Sequence, residues 1–129
     1  MGGVAVAEDV YVFGGLISGG EYTGSFSDAI QRISLRSGRA AIVGRLPTPL
    51  AHGMAASLGG HIYLLGGSTP GGPSAAIGRL DPASGRVVAV GRLGLPRTDA
   101  AVAAIGPTIY LLGGISSGPL ASVVSVRPR

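Results

Sequence analysis

The amino-acid sequence predicts an all-β fold built from repeated units of four short strands. Two observations lead to this class. One seven-residue phrase occurs three times, as DVYVFGG at 9–15, HIYLLGG at 61–67 and TIYLLGG at 108–114. Short apolar runs also alternate with turns rich in glycine and proline, of which the chain has 24 and 9. Hydrophobic residues make up 46% of the sequence, which is enough apolar material for a buried core.

The repetition extends well beyond this phrase. Its tyrosines, Tyr11, Tyr63 and Tyr110, are 52 and then 47 residues apart. The segment 37–67 also aligns with 84–114 at a constant shift of 47 residues and without a gap. Repetition at a period of this length indicates that the chain repeats one structural unit.

Each unit is predicted to contain four strands. Two apolar runs separated by Gly59-Gly60 indicate a hairpin, and DPASGR at 81–86 indicates a tight turn. The apolar runs lie near 3–6, 10–13, 28–35, 40–43, 53–58, 62–65, 75–80, 87–90, 100–105, 109–112 and 121–126. Four short strands in one such period are typical of a β-propeller blade. We therefore expect blades at 1–46 and 47–95 and an incomplete blade at 96–129.

The sequence resembles the Kelch repeat family. The resemblance is carried by a glycine pair three residues after each repeated tyrosine, by the turn Asp81–Gly85, and by Pro96-Arg97 before the third unit. The repeated glycines are Gly14, Gly15, Gly66, Gly67, Gly113 and Gly114. The family usually carries a tryptophan where Val87 and Ala40 stand here. The resemblance implies a partial Kelch-type propeller of about three repeats, similar to the central domain of galactose oxidase.

Three blades are fewer than a propeller needs, because propellers close with about 4 to 8 blades. The sequence leaves three interpretations open. The chain is a fragment of a longer protein, or two copies close a six-bladed ring head to tail, or the reading frame is degenerate. In the first two cases, further blades or a second copy would complete the ring.

The resemblance implies that function lies on the loops around one end of the propeller. Those loops are 16–27, 68–74 and 115–119, with the connecting segments 47–52 and 95–99. The first loop accounts for the 5 extra residues of the longer period. The candidate binding residues on these loops are Glu21, Tyr22, Phe26, His52, Arg97, Thr98 and Asp99. The alternatives are that the first loop is only a longer solvated loop and that Arg97 and Asp99 stabilise their turn.

Enzyme chemistry is not indicated. Two histidines and no cysteine do not provide a hydrolytic triad, the cysteine–tyrosine site of a copper oxidase, or a zinc site. We expect no cofactor, no metal and no catalytic residue. The favoured function is a non-catalytic Kelch-repeat module that binds a protein or peptide through its loop face. One alternative is a fragment of a carbohydrate-active, mutarotase- or epimerase-like enzyme. Another is a structural piece that completes a larger or homodimeric propeller.

Charge and hydropathy exclude other partners. The net charge is +4, but the arginines are scattered and only 5% of residues are aromatic, so we expect no nucleic-acid groove. The 27 uncharged residues between Asp99 and Arg127 are cut by Gly-Pro and Gly-Gly pairs, so we expect no membrane insertion. No signal peptide precedes the first unit, which predicts a cytoplasmic protein by default; for a fragment the compartment is unknown.

Overall fold

The computed structural model describes residues 2–18 and 22–128, and these residues form strands and turns without a helix. The strands are β1 (Gly2–Val6), β2 (Asp9–Phe13), β3 (Leu16–Ser18), β4 (Tyr22–Phe26), β5 (Ala29–Ser34), β6 (Ala40–Arg45), β7 (Met54–Leu58), β8 (His61–Leu65), β9 (Ser68–Thr69), β10 (Gly72–Pro73), β11 (Ala76–Asp81), β12 (Arg86–Arg92), β13 (Ala101–Ile105), β14 (Thr108–Leu112) and β15 (Val123–Val126). No helix that is long and apolar enough to cross a membrane occurs in this part of the chain.

The strands form three antiparallel sheets and two short ribbons within the described residues. Sheet 1 has the order β1-β2-β5-β6, sheet 2 the order β7-β8-β11-β12, and sheet 3 the order β13-β14-β15. Ribbon 1 (β3-β4) and ribbon 2 (β9-β10) lie between the second and third strands of sheets 1 and 2. Each sheet is therefore a meander in which its successive strands pair in space.

The all-β prediction is confirmed, and all eleven predicted runs are strands whose ends agree to within two residues. The two ribbons were missed, because 16–27 and 68–74 were predicted as loops. The ribbons pair over only a few residues, so the sequence offers little periodicity there. In ribbon 2 the turn is closed locally, since the Thr69 hydroxyl donates to the Gly72 carbonyl at 2.9 Å and accepts from the Gly71 amide at 3.2 Å.

The sheets stack face to face, with sheet 2 in the middle. Along β8 the side chains alternate between two hydrophobic clusters. Ile62 and Leu64 pack towards sheet 1, while Tyr63 and Leu65 pack towards sheet 3. All four are buried, which explains why β8 is apolar without interruption where a half-exposed strand would alternate. The first strands of the sheets also lie side by side, because β7 contacts both β1 and β13.

The first glycine of the first two repeated pairs allows a close backbone approach. Gly66 has a φ of 60°, and a Cβ there would collide with the carbonyl oxygen of Arg97. Gly14 has a φ of 61°, and a Cβ there would collide with the carbonyl oxygen of Leu50. Only glycine combines this left-handed conformation with the required space. At these two glycine pairs, the sheet packs against the segment that leads to the next sheet. We call each such contact a joint.

We expect Gly66→Ala to destabilise the protein far more than Gly59→Ala. Both glycines have nearly the same φ, 60° and 59°, so both variants bear the left-handed penalty of roughly 1–2 kcal/mol. Only at Gly66 would the new Cβ meet backbone, whereas nothing lies within 4 Å of a Cβ at Gly59. The clash should add roughly 1–3 kcal/mol. Urea unfolding of both variants measures the difference, and equal losses would contradict the role of the close approach.

The turn between β11 and β12 is held by Asp81. Its carboxylate accepts from the Ser84 hydroxyl at 2.8 Å and from the Ala83 amide at 3.0 Å. These hydrogen bonds favour the ionised form, with the Ser84 hydroxyl contributing most, and they hold the pKa of Asp81 below its usual value. The tight turn predicted at 81–86 therefore has a local electrostatic cause.

We expect the stabilising effect of Asp81 to depend on pH. A pKa lowered by folding contributes stability above the unfolded-state value of about 3.9, and this contribution is lost as the pH falls through the lowered value. The gap in free energy of unfolding between wild type and Asp81→Asn should therefore shrink on acidification. In the Ser84→Ala background, the pH dependence of that gap should be smaller. A gap that is constant with pH would be inconsistent with this origin.

Candidate functional site

The connecting segments and the ribbons lie together at one edge of the stacked sheets. Ala51, in segment 47–52, exchanges two backbone hydrogen bonds of 2.7 and 2.9 Å with Ser68 of ribbon 2. Thr98, in segment 95–99, exchanges two of 2.8 Å with Ile115, which lies between β14 and β15. The same bonds recur at positions 47 residues apart. The two connecting segments therefore share one backbone framework, a pair of equivalent hydrogen bonds, while their side chains differ.

His52, Thr98 and Asp99 meet on this framework and form a cluster that we call the rim. The His52 Nδ1 atom lies 3.0 Å from Asp99 Oδ1, and the Thr98 hydroxyl donates to Asp99 Oδ2 at 3.0 Å. The Asp99 amide also donates to the His52 carbonyl at 3.2 Å. His52 and Asp99 are repeat-equivalent, so the rim joins the same position of two consecutive units.

Backbone conformation sets the rim apart. His52 and Asp99 have φ angles of 53° and 55°, and among the described residues Ala7 is the other non-glycine residue with a positive φ. A non-glycine residue in the left-handed region costs on the order of 1 kcal/mol, and such residues cluster at functional sites. Both side chains remain 45% exposed, so the rim is accessible to a partner.

The chemistry of the rim is that of hydrogen bonding. An ionised carboxylate is only an acceptor, so the His52 Nδ1 atom carries the proton shared with Asp99, and in the neutral ring Nε2 is an acceptor. A catalytic dyad of this kind would need a nucleophile beside the histidine. The neighbouring Thr98 hydroxyl instead donates to Asp99, with a longer contact of 3.4 Å to the Ile115 carbonyl. The cluster therefore presents one imidazole and one carboxylate without an activated hydroxyl.

Arg97 lies apart from the rim although it adjoins Thr98 in sequence. It is only 2% exposed, and its guanidinium donates to the Gly113 carbonyl at 2.7 Å, the Ser122 carbonyl at 3.2 Å and the Ser122 hydroxyl at 2.8 Å. Its alkyl stem runs over Gly114. The structure thus places this candidate binding residue between sheets 2 and 3, where its guanidinium bonds Gly113 and Ser122 and not groups of its own turn.

We expect Arg97→Leu to lower the free energy of unfolding by roughly 1–3 kcal/mol, because it removes the charge-assisted hydrogen bonds that the buried guanidinium donates to Gly113 and Ser122. Leucine is the natural residue at the equivalent position, Leu50. The matched control is Arg92→Leu, since Arg92 is exposed on β12 and its replacement should change stability by less than about 0.5 kcal/mol. Equal losses of stability for the two variants in urea unfolding would contradict this structural role of Arg97.

Two of the three first-loop candidates, Tyr22 and Phe26, lie on ribbon 1. Glu21 is outside the described residues. Tyr22 and Phe26 begin and end β4, with Tyr22 pairing with Ser18 through the backbone. The base of ribbon 1 is tied to segment 47–52, because the Leu50 amide donates to the Ser27 carbonyl at 3.0 Å. The ribbon therefore stands beside the segment that carries His52.

A cavity that the sequence did not indicate opens beside segment 47–52. Its volume is about 210 Å³. One wall is formed by Pro47 and Leu50 of the segment with the preceding Leu46, and the wall formed by sheet 2 includes Ile77 and Val87. Val87, on the outermost strand β12 of sheet 2, closes one side of this space. Leu50, which lines the cavity, precedes His52 of the rim by two residues in the chain.

Comparisons with known proteins assign no family. No protein-family model matches this chain, and no curated protein matches it significantly. Residues 2–18 and 22–128 contain no group of three or more histidine, cysteine, aspartate or glutamate side chains that could hold a metal ion. The geometry of the rim and the cavity is therefore the basis for a functional proposal.

Proposed function

We propose that this chain is a segment of a Kelch-like β-propeller that binds a protein or peptide at its loop-bearing edge. The rim of His52, Thr98 and Asp99 carries this proposal, because it presents the half-exposed His52 and Asp99 side chains, linked to the buried Thr98 hydroxyl, on a repeated backbone framework. Binding residues concentrate on loops that a scaffold positions in this way.

The sheet arrangement supports the propeller part of the proposal. Three meanders stack with their first strands adjacent. The hydrogen bond that joins sheet 1 to sheet 2 is equivalent to the one that joins sheet 2 to sheet 3. That bond runs from the Gly15 amide to the Leu50 carbonyl in one joint and from the Gly67 amide to the Arg97 carbonyl in the other, each at 2.8 Å. Regular repetition of a four-stranded meander about inner strands is the construction of a propeller.

The side chains at the edge support the binding part. The rim offers a carboxylate and an imidazole at about half exposure, which suits a basic or hydroxyl-bearing segment of a partner. The cavity that Leu50 shares with Leu46 and Val87 suits an apolar side chain of the same segment, since Leu50 is two residues from His52 in the chain. An apolar anchor beside a few convergent polar groups is the usual pattern of a recognition site. We infer that a bound peptide places its apolar residue in the cavity and its polar residue on the rim.

Selection from a random phage-displayed peptide library on the immobilised chain tests this proposal. We expect the selected peptides to lose at least about tenfold in affinity for Asp99→Ala, because the rim then loses its charge and the partner of His52. His52→Ala should weaken the same peptides.

The matched control is Glu8→Ala, which removes an acid from another exposed ion pair, at 2.7 Å from Arg36. This variant should retain the selected peptides in full. Failure to enrich any peptide, or equal affinity for all three variants, would overturn the proposed binding site. Each variant should first be shown to unfold cooperatively, so that a lost site is not confused with a lost fold.

The rival carbohydrate-processing function has its own test. A panel of aldoses incubated with the chain should show no change in anomeric or epimeric composition by proton NMR beyond that of buffer alone. Accelerated conversion of any sugar, abolished by His52→Ala, would replace the binding proposal with an enzymatic one.

A further inference from the structure

The outer faces of sheets 1 and 3 carry residues that are buried at the equivalent positions of sheet 2. On sheet 3, cross-strand pairing places Ile105, Tyr110, Leu112 and Val123 on the face turned away from sheet 2. Tyr110 and Leu112 correspond to Tyr63 and Leu65, which are buried against sheet 3. Ile105, Leu112 and Val123 are instead 65%, 42% and 59% exposed.

Sheet 1 also has a free apolar face, on the side turned away from sheet 2. Val10, Val12, Ile33 and Ile42 share the face turned away from sheet 2. The residues equivalent to Val10, Val12 and Ile33 are Ile62, Leu64 and Leu80, which are all buried in the interface with sheet 1. Sheets 2 and 3 each pack this face against the preceding sheet, whereas on sheet 1 the same face is free.

The two internal interfaces show what covers each type of face. In both, the Tyr63-type face of one sheet meets the Ile62-type face of the next. The free face of sheet 3 is Tyr63-type and the free face of sheet 1 is Ile62-type, so each is the complement of the other. The residues named on both faces are uncharged.

We propose that a second copy of this chain covers both faces head to tail, so that sheet 3 of each copy packs on sheet 1 of the other. This proposal depends on the propeller geometry proposed above, but not on peptide binding. Propellers close with about 4 to 8 blades. Two copies of the three sheets in the described residues supply six, which lies within this range, whereas three copies would supply nine.

Sedimentation velocity of the 129-residue chain at micromolar concentration tests the stoichiometry. We expect a single species with twice the 12.7 kDa mass of the chain. A monomer would overturn the proposal and leave the faces to further repeats of a longer protein. Mass that grows without limit as concentration increases would also overturn it, because a head-to-tail contact that does not close forms filaments.

Two variants test the orientation of the contact. Leu112→Glu damages only the sheet 3 face, and Val12→Glu damages only the sheet 1 face. In a head-to-tail dimer each variant alone damages both interfaces and should become monomeric, a twofold fall in mass. Mixing the two variants should restore association, because one of the two interfaces is then intact. If Val12→Glu alone remains dimeric, the contact joins two sheet 3 faces and the proposal is wrong.

The control and a second measurement keep the test independent of folding. Val88→Glu changes a valine that is 47% exposed on the outer strand β12 of sheet 2, and it should remain dimeric. The melting temperature of the unmodified chain should rise with protein concentration, as for any protein whose association is coupled to folding. A melting temperature independent of concentration would contradict the dimer even if both variants fail to fold. A monomer that still binds selected peptides would refute the dimer alone, and a dimer that binds none would refute the binding function alone.

Discussion

The stacking of the three sheets depends on the contact between each connecting residue and two glycine pairs. The backbone carbonyl of Leu50 accepts from the Gly15 amide of sheet 1, while its side chain lies over Gly67 of sheet 2. Arg97 does the same one unit later with Gly67 and Gly114. A single residue thus joins the end of one inner hairpin to that of the next. Side chains at the glycine positions would separate the sheets and open both hydrophobic clusters.

This contact also determines which positions are free to vary between units. The backbone framework leaves the repeated glycines no freedom, but it does not constrain the side chain two positions after the connecting residue. His52 and Asp99 occupy this position in consecutive units, and there the two side chains differ in charge and shape while their φ angles are nearly identical. A constant backbone with variable side chains can recognise a specific partner without any change of fold.

Much of this arrangement could be predicted from local sequence signals. Gly59-Gly60 and Asp81 mark turns whose geometry is set within a few residues, so the flanking strands were predicted correctly. The rim residues were found because His52 and Asp99 align in the repeat. The burial of Arg97 could not be predicted, because its direction depends on Gly114 and Ser122, which are 17 and 25 residues away. The cavity depends on the relative position of two sheets, and the composition of neither sheet specifies that position.

The two joints are stabilised by different interactions, so their stability should depend differently on temperature. Leu50 contributes hydrocarbon contact over Gly67, and hydrophobic stabilisation weakens on cooling. Arg97 contributes three hydrogen bonds from a buried cation, which do not depend on the entropy of water around apolar groups. At low temperature the joint between sheets 1 and 2 therefore loses more of its local support than the joint between sheets 2 and 3. Cold would loosen the segment that carries His52 before the one that carries Asp99.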